Sequence, residues 1–322
     1  MLRLILRRLG LGVATLWLVS VFIFAGTEIL PGDVAQTMLG RTATPEALAE
    51  LRQQLHLDEP AIQRYGSWLA GFATGNLGVS PSSGRSIAGI IADRFPNTLL
   101  LASLTALFAV PLGLALGLLA VIHARGRLDR FITIFSLCTI SVPEFFVAAA
   151  LVLILAVHLH WVPAVAYITE FGSIGHLLRS LAIPILTLSF GVMAYLARMT
   201  RAAVLNVMES PYVEMAILSG VPRGRVVWRH ALPNALGPIV NVIALSLASL
   251  IRGTVVVEVM FAYPGLAKLT VDAVSLRDMP LIQACAMIFS AVYILLLMFA
   301  DVLAILANPR LRHPAQEATA WR

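Results

Sequence analysis

Four ionisable residues, Glu144, Arg252, Glu258 and Asp301, stand inside long apolar runs of this 322-residue chain. A charge in hydrocarbon costs several kcal/mol unless it is paired or wetted, so each of the four marks either a buried contact or a water-filled path. Glu144 follows Pro143, a residue without a backbone N–H that frees backbone groups in its helix, and Arg252 stands beside Gly253. Two readings stay open for this pair. The side chains can neutralise each other and fix packing, or they can face a cavity and bind the ammonium and carboxylate groups of a solute.

Bond chemistry finds no support elsewhere in the chain. There is no G-x-x-x-x-G-K-S/T phosphate loop, and the single lysine, Lys268, belongs to no such motif. There is no H-E-x-x-H either, and His158 and His160 form a His-x-His pair without an acidic or cysteine partner at ligand spacing. His123 and His176 are isolated, and the only cysteines, Cys138 and Cys285, fall inside apolar runs where they read as filler. No catalytic residue, no metal and no bound cofactor is expected on this polypeptide.

The elements that carry the four charges follow from composition. At 59% hydrophobic and 12% charged residues, the chain is a polytopic membrane protein. Six runs reach the roughly 20 residues a helix needs to cross a bilayer core: residues 9–29, 97–122, 131–157, 181–197, 236–261 and 281–307. The first run is long for a signal peptide and has no small-x-small cleavage site, so it reads as an uncleaved span. Arginines 3, 7 and 8, then 125, 127 and 130, then 198, 201, 223, 225 and 229, and finally 310, 312 and 322 fall in alternate connecting segments, with only Asp129, Glu209, Glu214 and Glu317 as acids among them. The other segments hold more acids than bases, which places the arginine-rich side and both termini in the cytoplasm. The net charge of +6 is accordingly a topology signal, and nucleic acid is not an expected partner.

The chain divides into residues 1–30, with the first span; 31–95, an external segment; 96–307, a five-helix core; and 308–322, a cytoplasmic tail. Within the external segment Pro31-Gly32-Asp33 signals a turn. Thr44-Pro45-Glu46 combines an N-cap, a proline at the first helical position and an acid in the first turn, so a helix starts there. A second short helix is expected over 59–72, before the loop residues Gly75-Asn76-Leu77-Gly78. This segment either packs on the outer ends of the spans, receives a soluble partner, or merely connects.

Residues 208–235 form a basic block punctuated by glycine and proline between two apolar runs. Ser210 with Pro211 opens a short helix through Tyr212, Val213, Glu214, Met215, Ala216, Ile217 and Leu218, and Gly220 stops it where left-handed backbone is cheap. Pro222 starts another helix through Arg225, Trp228, Arg229 and His230. Small Ala216 and apolar Val213, Ile217 and Leu218 are thereby offered to the groove of a partner.

Over essentially its whole length the chain resembles the membrane subunits of ABC importers of the oligopeptide, dipeptide and nickel type. The resemblance is carried by Leu30-Pro31-Gly32-Asp33, Thr44-Pro45-Glu46, Leu55-His56-Leu57-Asp58-Glu59-Pro60, Gly75-Asn76-Leu77-Gly78 and Pro96-Asn97-Thr98-Leu99. It continues through Ser141-Val142-Pro143, Tyr212-Val213, Ala216, Gly220, Arg229-His230-Ala231-Leu232, Asn234-Ala235 and Val257-Glu258. Phe261-Ala262-Tyr263-Pro264-Gly265-Leu266, Val271-Asp272-Ala273, Arg277-Asp278 and Asn308-Pro309-Arg310 complete it.

The resemblance implies an all-α integral membrane protein with the type I importer permease fold, six spans and an external insert between the first two. It makes 208–235 a coupling helix that fits a cleft on an ATPase. Tyr212, Val213, Glu214, Ala216, Ile217 and Gly220 would make or shape that contact, and Arg229 and His230 would anchor the block. Implied partners are a second, distinct permease subunit, two ABC ATPases that bind ATP and Mg, a soluble substrate-binding protein and the lipid bilayer. Glu214 stands where the family commonly has Arg, and Leu218 where it has Lys, which implies a cognate ATPase with a less acidic or more apolar cleft. Glu258 and Asp301 match positions often acidic in the family, whereas Glu144 and Arg252 do not. Glu144, Arg252 and Glu258 are the candidates for lining a translocation cavity. Peptides, nickel chelates, glutathione-like thiols and opine- or sugar-like solutes all fit the scaffold. A secondary transporter or channel would need broken helices in inverted repeats, and a membrane enzyme a nucleophile–base or metal cluster; the sequence supplies neither convincingly.

Overall fold

The computed structural model describes residues 2–29, 44–54, 58–166 and 173–307. The expected turn at Pro31-Gly32-Asp33, the Leu55-His56-Leu57 stretch and the tail 308–322 lie outside them. The described chain is almost wholly helical: α1 (Leu2–Ile29), α2 (Pro45–Gln54), α3 (Ala61–Thr74), α4 (Ile87–Ile122), α5 (Arg127–Ser141), α6 (Glu144–Leu151), α7 (Ile174–Met208), α8 (Pro211–Leu218), α9 (Arg223–Val226), α10 (Leu232–Met260), α11 (Leu266–Ser275) and α12 (Met279–Ala307). Two π-helical stretches, Val152–His158 and Val227–Ala231, continue α6 and join α9 to α10.

Five of these runs are long and apolar enough to cross a membrane, namely α1, α4, α7, the continuous stretch Arg223–Met260, and α12. A sixth span exists if α5 and the α6 run count as one, and they meet at a bend of 103°. The expected single helix over 131–157 is therefore broken. The cause is local: Pro143 clashes with helical backbone before it, and Val142 is extended at φ −89° and ψ 126°. The fifth span likewise begins earlier than residue 236, because the π-helical stretch lets the helix run on without a stop.

The chain forms two compact units. One comprises Met1–Arg8, Leu101–Phe261 and Leu295–Arg322. Its centre is α7, buried along much of its length, against which α4 packs through Gly113 and Gly117. A Cβ on Gly113 would fall 2.7 Å from the Leu196 Cβ, and one on Gly117 would fall 2.8 Å from the Ala197 carbonyl oxygen. This small-x-x-x-small spacing brings two backbones together where no hydrophobic effect drives helix association. Asp301, one of the four intramembrane charges, accepts from Arg8 Nη1 at 2.6 Å.

The other unit comprises Leu9–Leu100 and Ala262–Ile294. Thr44 caps α2 as expected, its hydroxyl accepting from the Ala47 N–H at 3.3 Å. The second short helix between the first two spans, α3, is no free connector: Tyr65 and Trp68 pack on Phe24 of α1, the Tyr65 hydroxyl meets Ser20 Oγ at 2.8 Å, and Arg64 pairs with Glu28. Buried Asp278 accepts from the hydroxyls of Ser80 and Ser82 and from the Leu281 N–H, so one carboxylate caps α12 and holds the loop at residues 80–84. Asn97 Nδ2 donates to the Pro264 carbonyl at 2.8 Å while the Tyr263 hydroxyl donates to the Asn97 carbonyl at 2.7 Å, and the Leu266 N–H donates to Thr98 Oγ1 at 2.8 Å. Two motifs far apart in sequence thus satisfy each other's backbone.

Gly117→Ala is expected to destabilise the helical core by about 1–3 kcal/mol through overpacking. Gly191→Ala, whose Cβ meets nothing within 4 Å, should leave it unchanged. Thermal unfolding of the detergent-solubilised protein measures both.

Candidate functional site

The block 208–235 folds nearly as its punctuation requires. Pro211 sits in the first turn of α8, Gly220 adopts φ +79° after the helix ends, and Pro222 precedes α9. Ser210 occupies the N-cap position, but its hydroxyl donates back to the Val207 carbonyl and caps no N–H.

Helical spacing sorts the side chains of α8. Val213 is fully buried and Ala216 half-buried, one turn apart on the inner face. Met215 and Leu218 are 63% and 74% exposed, and Tyr212, Glu214 and Ile217 are exposed with them. Val213, expected on the open face, is instead the peg that seats the helix, because a β-branched apolar residue at that angle has only the core to face. Sequence reasoning passed over Met215, although its place between Tyr212 and Leu218 at helical spacing was the available signal.

Arg229 and His230 were expected to anchor the block. Their side chains form no hydrogen bond or ion pair among the described residues; both lie in the π-helical stretch, Arg229 exposed and His230 half-buried. The anchors are apolar and basic groups elsewhere. Val226, Val227 and Ala231 are fully buried, the latter two in a cluster with Val121 and Val204, and Arg223 Nε donates to the Val121 carbonyl at 3.2 Å. Beneath lies the firmest polar contact of this unit. Arg201 on α7 forks onto Asp129 on α5, with Nε to Oδ1 at 2.6 Å and Nη2 to Oδ2 at 2.9 Å, and the Arg125 N–H adds a third donor at 2.9 Å. A bidentate, charge-assisted contact of this kind fixes orientation as well as distance. A hollow of about 420 Å³ opens between these groups and the end of α8, with Arg125, Arg201, Arg223 and Glu209 on its walls.

The candidate cavity residues separate into two kinds. Glu258 is fully buried in α10, so it does not line open space; its acid belongs to the packing of the helix. Glu144 and Arg252 are both exposed, and α6 and α10 bring them into each other's electrostatic reach without an ion pair between them. The structure thus sets the Glu144 carboxylate beside Gly253, the residue next to Arg252. Among the described residues no group of three or more His, Cys, Asp or Glu side chains is placed to hold a metal ion.

Asp129→Asn should remove one charge-assisted partner from Arg201 and lower stability by about 2 kcal/mol. Arg201→Lys, which keeps the charge but not the fork, should fall between it and the parent. Thermal unfolding midpoints rank the three.

Comparison with known proteins places this geometry. Residues 109–313 match the model for binding-protein-dependent transport system inner membrane components, and residues 1–102 match the model for the N-terminal part of such components. The chain is 36% identical over 313 residues, 97% of its length and 100% of the relative's, to the glutathione transport system permease protein GsiC of Escherichia coli. It is 34% identical over 309 residues, 96% of its length and 99% of the relative's, to the protein of Sinorhizobium fredii named "Probable peptide ABC transporter permease protein y4tP". In fold it matches a chain of the inward-facing MetNI methionine ABC transporter with a TM-score of 0.55 at 17% identity, over 68% of this chain and 96% of that one. The α-helical membrane fold and these matches agree: the chain belongs to the binding-protein-dependent transport system inner membrane components, and it is a multi-pass permease subunit of an ABC importer.

Proposed function

We propose that this subunit forms half of a translocation path for short peptides or closely similar solutes, with a second, distinct permease subunit supplying the other half. Two ATPase subunits drive it and a soluble binding protein delivers the solute. The names of its relatives, which specify peptides and glutathione, support the substrate class. ATP and Mg are held on the ATPases, as the chain has no phosphate loop of its own. ATP binding draws the two coupling helices together and turns the bundle outward, and hydrolysis resets it. Each state is favoured only by the differential affinity that ATP and the binding protein have for it.

The observation that carries the coupling role is the open face of α8. Met215 and Leu218 stay in water on a helix that its buried Val213 already seats, and burying such side chains is worth about 2 kcal/mol each. A surface of this kind fits an apolar cleft on a partner. Glu214 in the middle of it favours a cleft without acidic walls.

Met215→Glu with Leu218→Glu is expected to strip the ATPases from the purified complex and to lower coupled transport at least tenfold while the membrane subunit still folds. Co-purification of the ATPases reads the first and uptake the second; ATPases retained in full would sink the assignment. Selectivity has its own test. Glu214→Arg with Leu218→Lys should improve coupling to the ATPases of a related transporter, and full coupling of the unaltered chain in that hybrid would refute selective pairing.

A further inference from the structure

We propose that Glu144 and Arg252 are the two halves of a split binding site for a dipolar solute, Glu144 taking its ammonium group and Arg252 its carboxylate; this rests on the importer reading above.

Glu144 opens α6, half of the bent helix pair, Arg252 lies in the spanning run Arg223–Met260, and both side chains are exposed on the surface of the chain. Ionised side chains on apolar helices of this kind are not left in lipid, so this face borders water or protein. The simplest way to remove the penalty would be a closed ion pair, and the structure does not make it. The Glu144 carboxylate stands beside the residue next to Arg252, yet neither side chain forms a hydrogen bond or salt bridge among the described residues.

Something else places the carboxylate. The 103° bend after Ser141 turns α6 away from the line of α5, and Glu144, in its first turn, reaches α10 at Gly253. A Cβ there would stand 3.2 and 3.3 Å from the two carboxylate oxygens and 2.9 Å from Leu188 Cδ2. The buried glycine is a seat for the acid, one residue along from the arginine. The acid is therefore held beside its natural partner but not upon it, and the guanidinium keeps its donors for a ligand. A simple cation or anion would answer only one of the two charges. A solute that carries both, such as a short peptide with free ends, answers each with an opposite charge and replaces the water that both require.

The test uses the assembled transporter, with both permease subunits and the ATPases, in nanodiscs without binding protein. Equilibrium binding is measured for radiolabelled trialanine with free ends, for its N-acetyl form and for its C-terminal amide. The parent should bind the free peptide about tenfold more tightly than either blocked form. R252Q should weaken the free peptide about tenfold and abolish the difference between it and the amide, and E144Q should abolish the difference between it and the N-acetyl form. G253A retains both charges but displaces the Glu144 carboxylate, so it should lose ammonium discrimination and keep carboxylate discrimination. A parent that binds none of the three peptides or does not distinguish them, or variants that weaken all three equally, would overturn the split site. ATPase co-purification with the parent is scored separately. Its loss counts against the importer reading itself, whereas retained ATPases with no peptide preference count against the split site alone.

Discussion

The contact on which the end of the molecule that carries α8 depends is the fork of Arg201 onto Asp129. It ties α7, the buried centre of its unit, to the start of α5, and Asp129 also takes the N–H of Arg125, whose left-handed backbone reverses the chain between α4 and α5. With that corner fixed, the end of α4 presents the Val121 carbonyl to Arg223, and Arg223 opens the helical run that carries α9 and α10. The seat of α8 is thereby defined by a chain of partners and not by propensity, which an eight-residue helix could not supply alone.

Much of this was legible in the sequence, and the legible part has a common cause. Spans, caps and stops rest on local chemistry: Thr44 capping α2, Gly220 adopting positive φ and the apolar runs becoming long helices all follow from residues within a turn or two of one another. What sequence did not reveal depends on angle or on distant partners. Val213 reads as apolar and available until the helix is set on its bed, and then it faces inward. Arg229 and His230 look like anchors by type, but the residues that hold the block are Arg223 and the buried valines, chosen by where the preceding helices end. Gly113 and Gly117 had the spacing of a close helix crossing, and only the approach of α7 gives that spacing meaning.

The intramembrane charges show the same division. Asp301 is answered by Arg8 and Glu258 is withdrawn into the packing of α10, so two of the four carry no obligation to a solute. Proline decides the fate of a third. By breaking the third span at Val142, Pro143 converts what would be a mid-helix acid, held at a fixed angle to the bundle, into a first-turn acid that swings onto the neighbouring helix. Arg252 is left as the counterpart because its neighbour is glycine, where an added Cβ would crowd the Glu144 carboxylate to 3.2 Å.

Both ends of the proposed mechanism then lie on one helical run. Arg223, which ties the start of this run to α4, and Arg252, beside Gly253, are separated by 29 residues of Arg223–Met260, roughly 44 Å at the α-helical rise. A displacement of α9 can therefore reach the charged pair along one continuous helical run without passing through loops. The π-helical stretch at Val227–Ala231 is the one place among the described residues of that run where its hydrogen-bond register changes, and any slack between lever and site is concentrated there. Because no hydrogen bond ties the Glu144 side chain to α10 among the described residues, a shift or rotation of α10 changes where the acid stands relative to Arg252. A lever that moves α10 thereby changes how well the two charges match a solute, which is the differential affinity that coupled transport requires.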